Sequence, residues 1–253
     1  MTPPNPPLRL PPPRDLLGLP VHPVTLHQAT LFVERRLLAG GPPIRHVALN
    51  AAKVVACRDD PELTEAVRRA ELVTADGVGV LALAKRLGEP LPERVTGIDL
   101  MEALCARAAV RGWPVYFLGA EPGVAALAAA VLSLRMPGLQ IAGAADGFFA
   151  PGTEDAVAAE VAASGARLLF VGLPTPRKEF FVDRYAHAHG VDFAMGVGGA
   201  FDVLAQRVRR APLWVQGAGF EWLWRWAQEP RRLFPRYGVD GSRFLLHLLR
   251  ARP

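Results

Sequence analysis

The sequence predicts an α/β protein: a layered domain with a mainly parallel sheet, followed by a C-terminal helical appendage rich in arginine and tryptophan. Three observations support this fold class. Short apolar runs alternate with segments of helical periodicity, as they do in β-α-β units. Several of these runs end in glycine or small polar residues. After residue 206 the pattern changes to a basic, aromatic and helical one.

The apolar runs predict strands, and the periodic segments between them predict helices. The predicted strands cover residues 45–49, 72–74, 115–118, 139–142, 167–171 and 192–196. The predicted helices cover residues 24–39, 51–69, 77–87, 98–111, 122–135, 153–164 and 177–189. Because helical crossovers join parallel strands, this order indicates a parallel sheet covered by helices.

The chain divides into three predicted segments. Residues 1–15 form a flexible arm, because seven of the first thirteen residues are proline. Residues 16–206 form the α/β domain, and residues 207–253 form the appendage. The arm lacks the apolar core of a signal peptide, and we expect no transmembrane helix because uncharged apolar runs are short.

The positive charge is concentrated at the C-terminus. Residues 201–253 contain ten arginines and four acidic residues, a net charge of +6, whereas the whole chain carries +5. Four of the five tryptophans lie in the same segment. Tryptophan favours the boundary between water and lipid, and arginine binds phosphate, so the segment suits an anionic, partly apolar partner. The alternative is a tryptophan-rich helix packed on the core with its arginines in water.

Other partner classes receive little support. No helix-turn-helix or zinc-finger pattern accompanies the basic charge, so we expect no nucleic acid partner. Cys57 and Cys105 lie in predicted helices, where buried thiols fit a reducing cytoplasm. His187 and His189 have no cysteine or carboxylate at metal-ligand spacing, and no Asp-x-Asp occurs. We therefore expect neither a metal nor a cofactor.

Three predicted strands lead into loops that are compatible with a nucleotide. They contain Gly119, the segment 172–179, and Gly198-Gly199 followed by Asp202. Ligands of parallel sheets bind beyond the carboxyl ends of the strands, where glycine admits close approach and helix N-termini attract phosphate. Ordinary turns use the same residues. The absence of GxGxxG after the first strand and of GxxxxGK[ST] argues against a nicotinamide site and a P-loop.

The segment Ala75-Asp76-Gly77 directly follows a predicted strand. The Asp76 carboxylate therefore faces the ligand crevice beyond the carboxyl ends of the strands and can act as a general base. The alternative is that Asp76 caps the helix that begins near Gly77. Arg94 could clamp a phosphate, whereas Thr96 or Asp99 could simply cap the next helix. Asn50 could bond a sugar or base, or serve as a turn residue. Position alone leaves these alternatives open.

The motifs ADGVG, ERVTGIDL, VGLPTPRKE, GVGGAFDVLA, RAPLW and EWLWRWAQEPRR occur in this order within residues 16–240. In this respect the chain resembles the WecG/TagA/CpsF family of glycosyltransferases. The resemblance implies a Rossmann-like α/β domain whose appendage contacts the membrane and helps to complete the active site. It also implies an inverting, metal-independent transfer of a hexose or N-acetylhexosamine from a UDP-sugar to an undecaprenyl-diphosphate-linked sugar, in cell-surface polysaccharide synthesis.

The resemblance assigns roles to individual residues. Asp76 would be the catalytic base, and Arg94 would contact the diphosphate or the acceptor. The residues expected to bind substrate are Asn50, Thr96, Gly119, Lys178, Glu179, Gly198, Gly199 and Asp202. The residues expected to meet the acceptor diphosphate or the membrane are Arg225, Arg232, Arg236, Trp222 and Trp226.

The partners implied by the resemblance are a UDP-sugar, a polyprenyl-diphosphate-linked glycan acceptor and the inner-membrane surface. The enzyme would be cytoplasmic and peripherally associated with the inner (plasma) membrane, and family precedent suggests a homo-oligomer. Two readings compete with an enzyme. One is a module that binds nucleotides or nucleic acid, and the other is a non-catalytic membrane scaffold of the polysaccharide machinery.

Among the departures from the family pattern, three bear on the substrate site. In the family motif G-x-P-K-Q-E, Pro174 replaces the glycine and Lys178 replaces the glutamine, and Ala48 replaces a frequent threonine. That glutamine is a candidate substrate contact, so we expect an active enzyme with an altered sugar preference.

Overall fold

Eight strands lie within residues 9–185, 190–234 and 238–251, the residues that the structure, a computed structural model, describes. They are β1 (Arg14–Leu16), β2 (Leu19–Val21), β3 (Ile44–Leu49), β4 (Leu72–Ala75), β5 (Val115–Gly119), β6 (Ile141–Ala145), β7 (Leu168–Gly172) and β8 (Phe193–Gly196). The last six form one sheet in the order β4-β3-β8-β7-β5-β6, with all neighbours parallel. The predicted parallel sheet is therefore confirmed.

Helices connect these strands and cover both faces of the sheet, which gives the Rossmann-like arrangement. Those of the α/β domain are α1 (Leu26–Ala39), α2 (Ala51–Asp59), α3 (Pro61–Arg68), α4 (Val78–Arg86), α5 (Gly97–Arg111), α6 (Val124–Arg135), α7 (Glu154–Ala163), α8 (Arg177–Tyr185) and α9 (Ala200–Leu204). The appendage contains α10 (Leu213–Gly217), α11 (Glu221–Gln228), α12 (Pro230–Phe234) and α13 (Asp240–Arg250).

The core lies on both faces of the sheet, as expected for parallel strands that are apolar throughout. One face packs against α1, α5 and α6, around Phe117, Phe170 and Phe193. The other face packs against α2, α3 and α4 at the β3–β4 end, and against α7 and α8 at the β5–β7 end. The predicted burial of Cys57 and Cys105 is confirmed, and burial raises the pKa of both thiols.

Two differences between predicted and observed elements have a clear local cause. The predicted helix 51–69 is divided into α2 and α3, because Pro61 has no amide hydrogen to continue α2 and the Asp60 carboxylate accepts the amide of Leu63 as the cap of α3. Strand β6 begins two residues later than predicted, because a turn with Gly138 at φ +93° extends to Leu139. Residues 186–189 of the predicted helix 177–189, with His187 and His189, lie outside the described residues.

An N-terminal hairpin of β1 and β2 was not predicted. Its strands pair antiparallel and bury Leu16 and Val21 against the β4 side of the core. The turn uses Gly18 at φ +85°, whose amide donates to the carboxylate of Asp15 at 2.6 Å. Strand β1 thus includes Arg14 and Asp15, the last two residues assigned to the arm. Strands of three residues are too short to show the alternation of apolar and polar residues that identifies a strand in a sequence.

The appendage packs against the α/β domain. Phe244 of α13 is buried against α2 and α4, and a Cβ on Gly79 would lie 3.1 Å from its ring. Arg86 of α4 donates to the carbonyls of Leu249 and Ala251 at the end of α13. Residues from the segment 207–253 therefore complete the core on the β4 side.

Candidate active site

Asp76 lies at the carboxyl edge of the sheet between the segments that carry Asn50 and Arg94. The Asp76 amide donates to the last carbonyl of β3 at 2.7 Å, and the amide of Val95 donates to the last carbonyl of β4 at 2.8 Å. These backbone bonds hold the three segments side by side. They bring a carboxylate, a carboxamide and a guanidinium group to the part of a parallel sheet where ligands normally bind.

The cap of α4 is not Asp76. The N-cap position belongs to Gly77, which has φ +111° and no side chain to offer a bond. Only glycine adopts that backbone conformation readily, so the chain turns sharply after Asp76. The half-buried carboxylate therefore lies one residue before the cap, at the end of the strand.

Asn50 and Thr96 are both helix caps. The side-chain oxygen of Asn50 accepts the amide of Lys53 at 3.0 Å, at the start of α2. Thr96 accepts the amide of Asp99 at 3.2 Å, at the start of α5, and donates to the Asp99 carboxylate at 2.6 Å. Helix capping therefore accounts for the positions of both residues. The N-termini of α2 and α5 lie at the same edge of the sheet as Asp76.

Arg94 meets a carboxylate of the appendage. Its Nη1 atom donates to Oε2 of Glu221, the first residue of α11, at 2.8 Å. The second oxygen of Glu221 lies 3.9 Å from Nε of Arg210, and Arg210 also bonds Asp99 in the first turn of α5. Helix α11 is thus joined to the segments that border Asp76.

The glycine loop after β8 is approached by Arg225, the arginine of α11. A Cβ on Gly199 would lie 2.9 Å from Nη2 of Arg225, and that nitrogen lies 4.0 Å from the carboxylate of Asp202. Gly198 has φ +53°, which suits glycine. Burial raises the pKa of Asp202, and the positive charge of Arg225 opposes that shift. Arg225, Gly198, Gly199 and Asp202 therefore come together.

Glu179 lies in a buried cluster with two lysines. Its Oε1 atom lies 2.8 Å from Nζ of Lys53 and 3.1 Å from Nζ of Lys178. Burial alone would raise the pKa of Glu179, but the two ammonium groups outweigh it and lower the pKa to about 2. The Nζ atom of Lys53 also donates to the carbonyl of Ala48 at 2.7 Å. Glu179 is therefore primarily a partner of buried cations.

Two of the three departures from the family pattern lie around the end of β8. A Cβ on Gly196 would lie 2.8 Å from the side chain of Lys178, and a Cβ on Gly97 would lie 3.9 Å from Ala48 and 4.0 Å from the Gly196 carbonyl. Glycine at position 196 thus makes room for the Lys178 stem. The substitutions at 48 and 178 border one region of the crevice.

Gly119 has a steric reason to be glycine, since a Cβ there would lie 2.5 Å from the backbone of Gly172. Beyond it, the loop after β6 presents the ring of Phe148, which is 71% exposed. Arg177 holds this loop through the carbonyls of Gly147 and Phe149. Phe148 was not among the predicted site residues; an aromatic ring after a strand end is the signal that could have indicated it.

The remaining predicted residues of the appendage are more exposed. The rings of Trp222 and Trp226 stack with their centroids 6.4 Å apart. Arg232 pairs with Glu229 at 2.6 Å. Arg236 lies outside the described residues. The predicted site thus comprises an inner group that includes Arg225 and an outer group on α11 and α12.

The sequence model of the family described as "Glycosyl transferase WecG/TagA/CpsF family" matches residues 14–253, nearly the whole chain. The chain belongs to this family. It is therefore a glycosyltransferase of the WecG/TagA/CpsF type, a group that acts in cell-surface polysaccharide synthesis. The match includes the appendage, so α10–α13 are part of the family's own architecture.

Two features are absent from the described residues of this WecG/TagA/CpsF family member. No helix among them is long and apolar enough to cross a membrane. No group of three or more His, Cys, Asp and Glu side chains within them is arranged to hold a metal ion.

Besides Phe148, three residues in and below this family member's crevice were missed by sequence reasoning: Lys53, Arg210 and Glu221. Each forms an ion pair with a residue distant in sequence. Arg210 and Glu221 do lie in the RAPLW and EWLW motifs, so membership of a quoted motif was the available signal.

Proposed function

We propose that the protein transfers a hexose or N-acetylhexosamine from a UDP-sugar to a polyprenyl-diphosphate-linked sugar, with inversion and without a metal. The reaction takes place at the inner face of the cytoplasmic membrane and contributes to a cell-surface polysaccharide. Asp76 is the general base. The observation that carries this proposal is the placement of Asp76 between the Asn50 and Arg94 segments, with α11 joined to the same edge.

Inversion requires one base, which takes the proton of the acceptor hydroxyl as that oxygen attacks the anomeric carbon. A carboxylate does this when it lies within about 3 Å of the hydroxyl oxygen. Asp76 has the required chemistry, and its position at a strand end leaves it facing the ligand region of the sheet. The bond to UDP breaks as the new glycosidic bond forms, so the departing diphosphate gains negative charge.

That charge needs positive partners in the crevice. Arg94 and Arg225 approach it from the domain and from α11, and the N-terminus of α5 is directed to the same edge. Guanidinium groups and helix N-termini both stabilise phosphate oxygens. The exposed ring of Phe148 offers a surface on which the uracil base can stack. These groups support a UDP-sugar donor without a metal ion.

The appendage supplies the features that a water-soluble enzyme needs to reach a lipid-linked acceptor. Its described exposed apolar side chains include Leu213, Trp214, Phe220, Trp222, Leu223, Phe234, Val239, Leu245, Leu246 and Leu249. Exposed arginines at positions 209, 231 and 232 accompany them. Aromatic rings with nearby cations suit the headgroup region of an anionic membrane, which supports peripheral association.

The deciding experiment measures UDP release from a panel of UDP-sugars with a short-chain prenyl-diphosphate-linked sugar as acceptor, in EDTA. Wild type is compared with Asp76→Asn and with Asp192→Asn, an aspartate at the opposite, amino edge of the sheet that pairs with Arg167. We expect acceptor-dependent release in wild type and Asp192→Asn. Loss of general-base catalysis should reduce the rate of Asp76→Asn by about 10²–10⁴-fold.

The same assay tests the competing functions. A scaffold predicts no release from any donor and no effect of Asp76→Asn on UDP binding or on folding. Folded wild-type protein that releases no UDP from the whole panel would contradict the proposed reaction. Release that disappears in EDTA and returns with a divalent cation would contradict its metal independence.

A further inference from the structure

A second guanidinium group shares the carboxylate that binds Arg94. The two oxygens of Glu221 are divided between them: Oε2 accepts from Arg94 at 2.8 Å, and Oε1 lies 3.9 Å from Nε of Arg210. Arg210 is held from its other side by Asp99 on α5. One carboxylate of the appendage thus lies between two arginines at the border of the crevice.

This contact leaves a donor of Arg210 unsatisfied. Its Nε atom is buried and has no hydrogen-bond acceptor among the residues of ranges 9–185, 190–234 and 238–251. The 3.9 Å separation from Glu221 is too long for a hydrogen bond. A buried N–H group without an acceptor is costly, so an anionic oxygen that enters between Arg94 and Arg210 gains a bond that Glu221 does not make.

We propose that Arg94 and Arg210 form a diphosphate-binding pair, and that the substrate displaces the carboxylate of Glu221 from it. The inference rests on the proposed function, because it names the ligand chemistry of that same crevice. Two guanidinium groups match the several oxygens of a diphosphate better than the two oxygens of one carboxylate. The side chains of Arg94, Arg210 and Glu221 are 19%, 27% and 27% exposed, so an anion reaches them from solvent.

Displacement of Glu221 has a consequence for the appendage. Glu221 is the first residue of α11, the helix that also carries Trp222 and Trp226. When a diphosphate takes its place, α11 loses one of its ion pairs to the domain. Occupancy of the crevice is thereby coupled to the helix that bears Trp222 and Trp226, and the coupling works in both directions.

The test titrates inorganic pyrophosphate, in EDTA, into wild type, Glu221→Gln, Arg210→Gln and Asp59→Asn by isothermal calorimetry. Glutamine keeps the shape of Glu221 but removes the competing charge, so pyrophosphate should bind about tenfold more tightly, within the usual range of coupling between sites. Arg210→Gln should bind it about tenfold more weakly, through loss of a charged partner. Asp59→Asn is the matched control, because it breaks another ion pair between domain and appendage, that of Asp59 with Arg243.

Separate titrations with UDP and with geranyl diphosphate distinguish the donor from the acceptor as the source of the diphosphate. A gain in Glu221→Gln for either ligand, or for both, supports the pair and names its ligand. If Glu221→Gln binds all three ligands no more tightly than wild type, the displacement is wrong. Thermal unfolding curves confirm that both Glu221→Gln and Arg210→Gln are folded, so an absent gain or a loss of affinity reports on the site itself.

These results are independent of the transfer assay. Unchanged binding by Glu221→Gln, with normal sugar transfer by wild type, overturns the displacement and leaves the proposed function in place. The expected shifts in pyrophosphate affinity, with no turnover of any donor, leave the arginine pair in place and remove the proposed function.

Discussion

The ammonium group of Lys53 lies 2.8 Å from the carboxylate of Glu179, and both side chains are 3% exposed. Lys178 reaches the same oxygen at 3.1 Å. Charges withdrawn this far from water are stable only while they are paired, because removal of one partner leaves the others buried and uncompensated. The cluster lies under the ends of β3 and β8, so it supports the crevice from below.

Glu179→Gln should destabilise the fold severely. It leaves two buried ammonium groups with no carboxylate between them, which we expect to lower the free energy of unfolding by about 3–5 kcal/mol. Urea denaturation at neutral pH measures this. Glu62→Gln is the matched control, since Glu62 pairs with Arg184 on the surface and exposed pairs contribute only about 0–1 kcal/mol. Equal effects of the two substitutions would show that the cluster does not depend on its carboxylate.

Lys178→Gln should change the sugar preference. Lys178 borders the end of β8 beside Ala48, and glutamine at this position restores the common family residue while Lys53 still neutralises Glu179. We expect the ratio of kcat/KM between at least two UDP-sugars to change by about tenfold, a normal effect of one altered pocket contact.

The donor panel of the UDP-release assay measures the effect of Lys178→Gln. Lys85→Gln, which changes an exposed lysine on α4, is the matched control. An unchanged ranking of donors in Lys178→Gln would remove this residue from the specificity determinants.

Stability should fall as the pH decreases below neutrality, in part because of His46. This histidine is buried and bonds Thr74 at 2.9 Å. Burial, reinforced by the charge of Lys53, lowers its pKa from 6.5 to about 3. Between these two pH values the unfolded chain binds a proton at His46 that the folded chain does not. The contribution of His46 to the free energy of unfolding is therefore complete above pH 6.5 and is lost as the pH falls toward 3.

Between pH 7 and pH 5 this one group should remove about 2 kcal/mol from the free energy of unfolding. Urea denaturation of wild type and His46→Gln at both pH values measures the difference. In His46→Gln the loss between pH 7 and pH 5 should be smaller by about that amount. Burial also lowers the pKa of His22. His22 is present in both proteins, so its effect on the pH dependence of stability cancels in the comparison. Identical pH dependence of the two proteins would contradict the assignment.

The sequence predicted the sheet and the location of its ligand edge, because both depend on local pattern. Apolar runs mark the strands, and residues that follow them, such as Asp76, necessarily lie at the carboxyl edge. The predicted ends of helices were less accurate where one residue interrupts a regular pattern, as Pro61 does between α2 and α3. The hairpin of β1 and β2 was not predicted, because each of its strands has only three residues.

The partners within the site were not predictable in the same way. Arg94 meets Glu221 across 127 residues, and Arg210 meets Asp99 across 111. Such pairs depend on how α10 and α11 fold back over the domain. No local pattern of apolar and polar residues predicts that arrangement. Glu179 illustrates the same limit: the family resemblance suggested a substrate contact, and the fold adds Lys53 as its buried partner. The family resemblance suggested the candidate residues, and the tertiary arrangement identifies their partners.

The exposed apolar side chains at the start of the appendage should drive membrane association. Leu213 and Trp214 of α10 are 83% and 75% exposed. Replacement of both by serine should reduce binding to phosphatidylglycerol-containing vesicles at least tenfold, because burial of each such side chain in the bilayer interface contributes about 1.5–3 kcal/mol. Co-sedimentation with vesicles at low and physiological salt measures the loss and separates it from the electrostatic attraction of the arginines.

Leu134→Ser provides the matched control for the double substitution. Leu134 is 84% exposed, but it lies near the C-terminal end of α6 and thus toward the amino edge of the sheet, away from the crevice. Its replacement should leave vesicle binding unchanged, while soluble UDP-sugar binding stays normal in both proteins. If the Leu213/Trp214 variant still sediments with vesicles as wild type does, α10 does not contact the membrane, and the remaining exposed leucines of α13 become the surface to test.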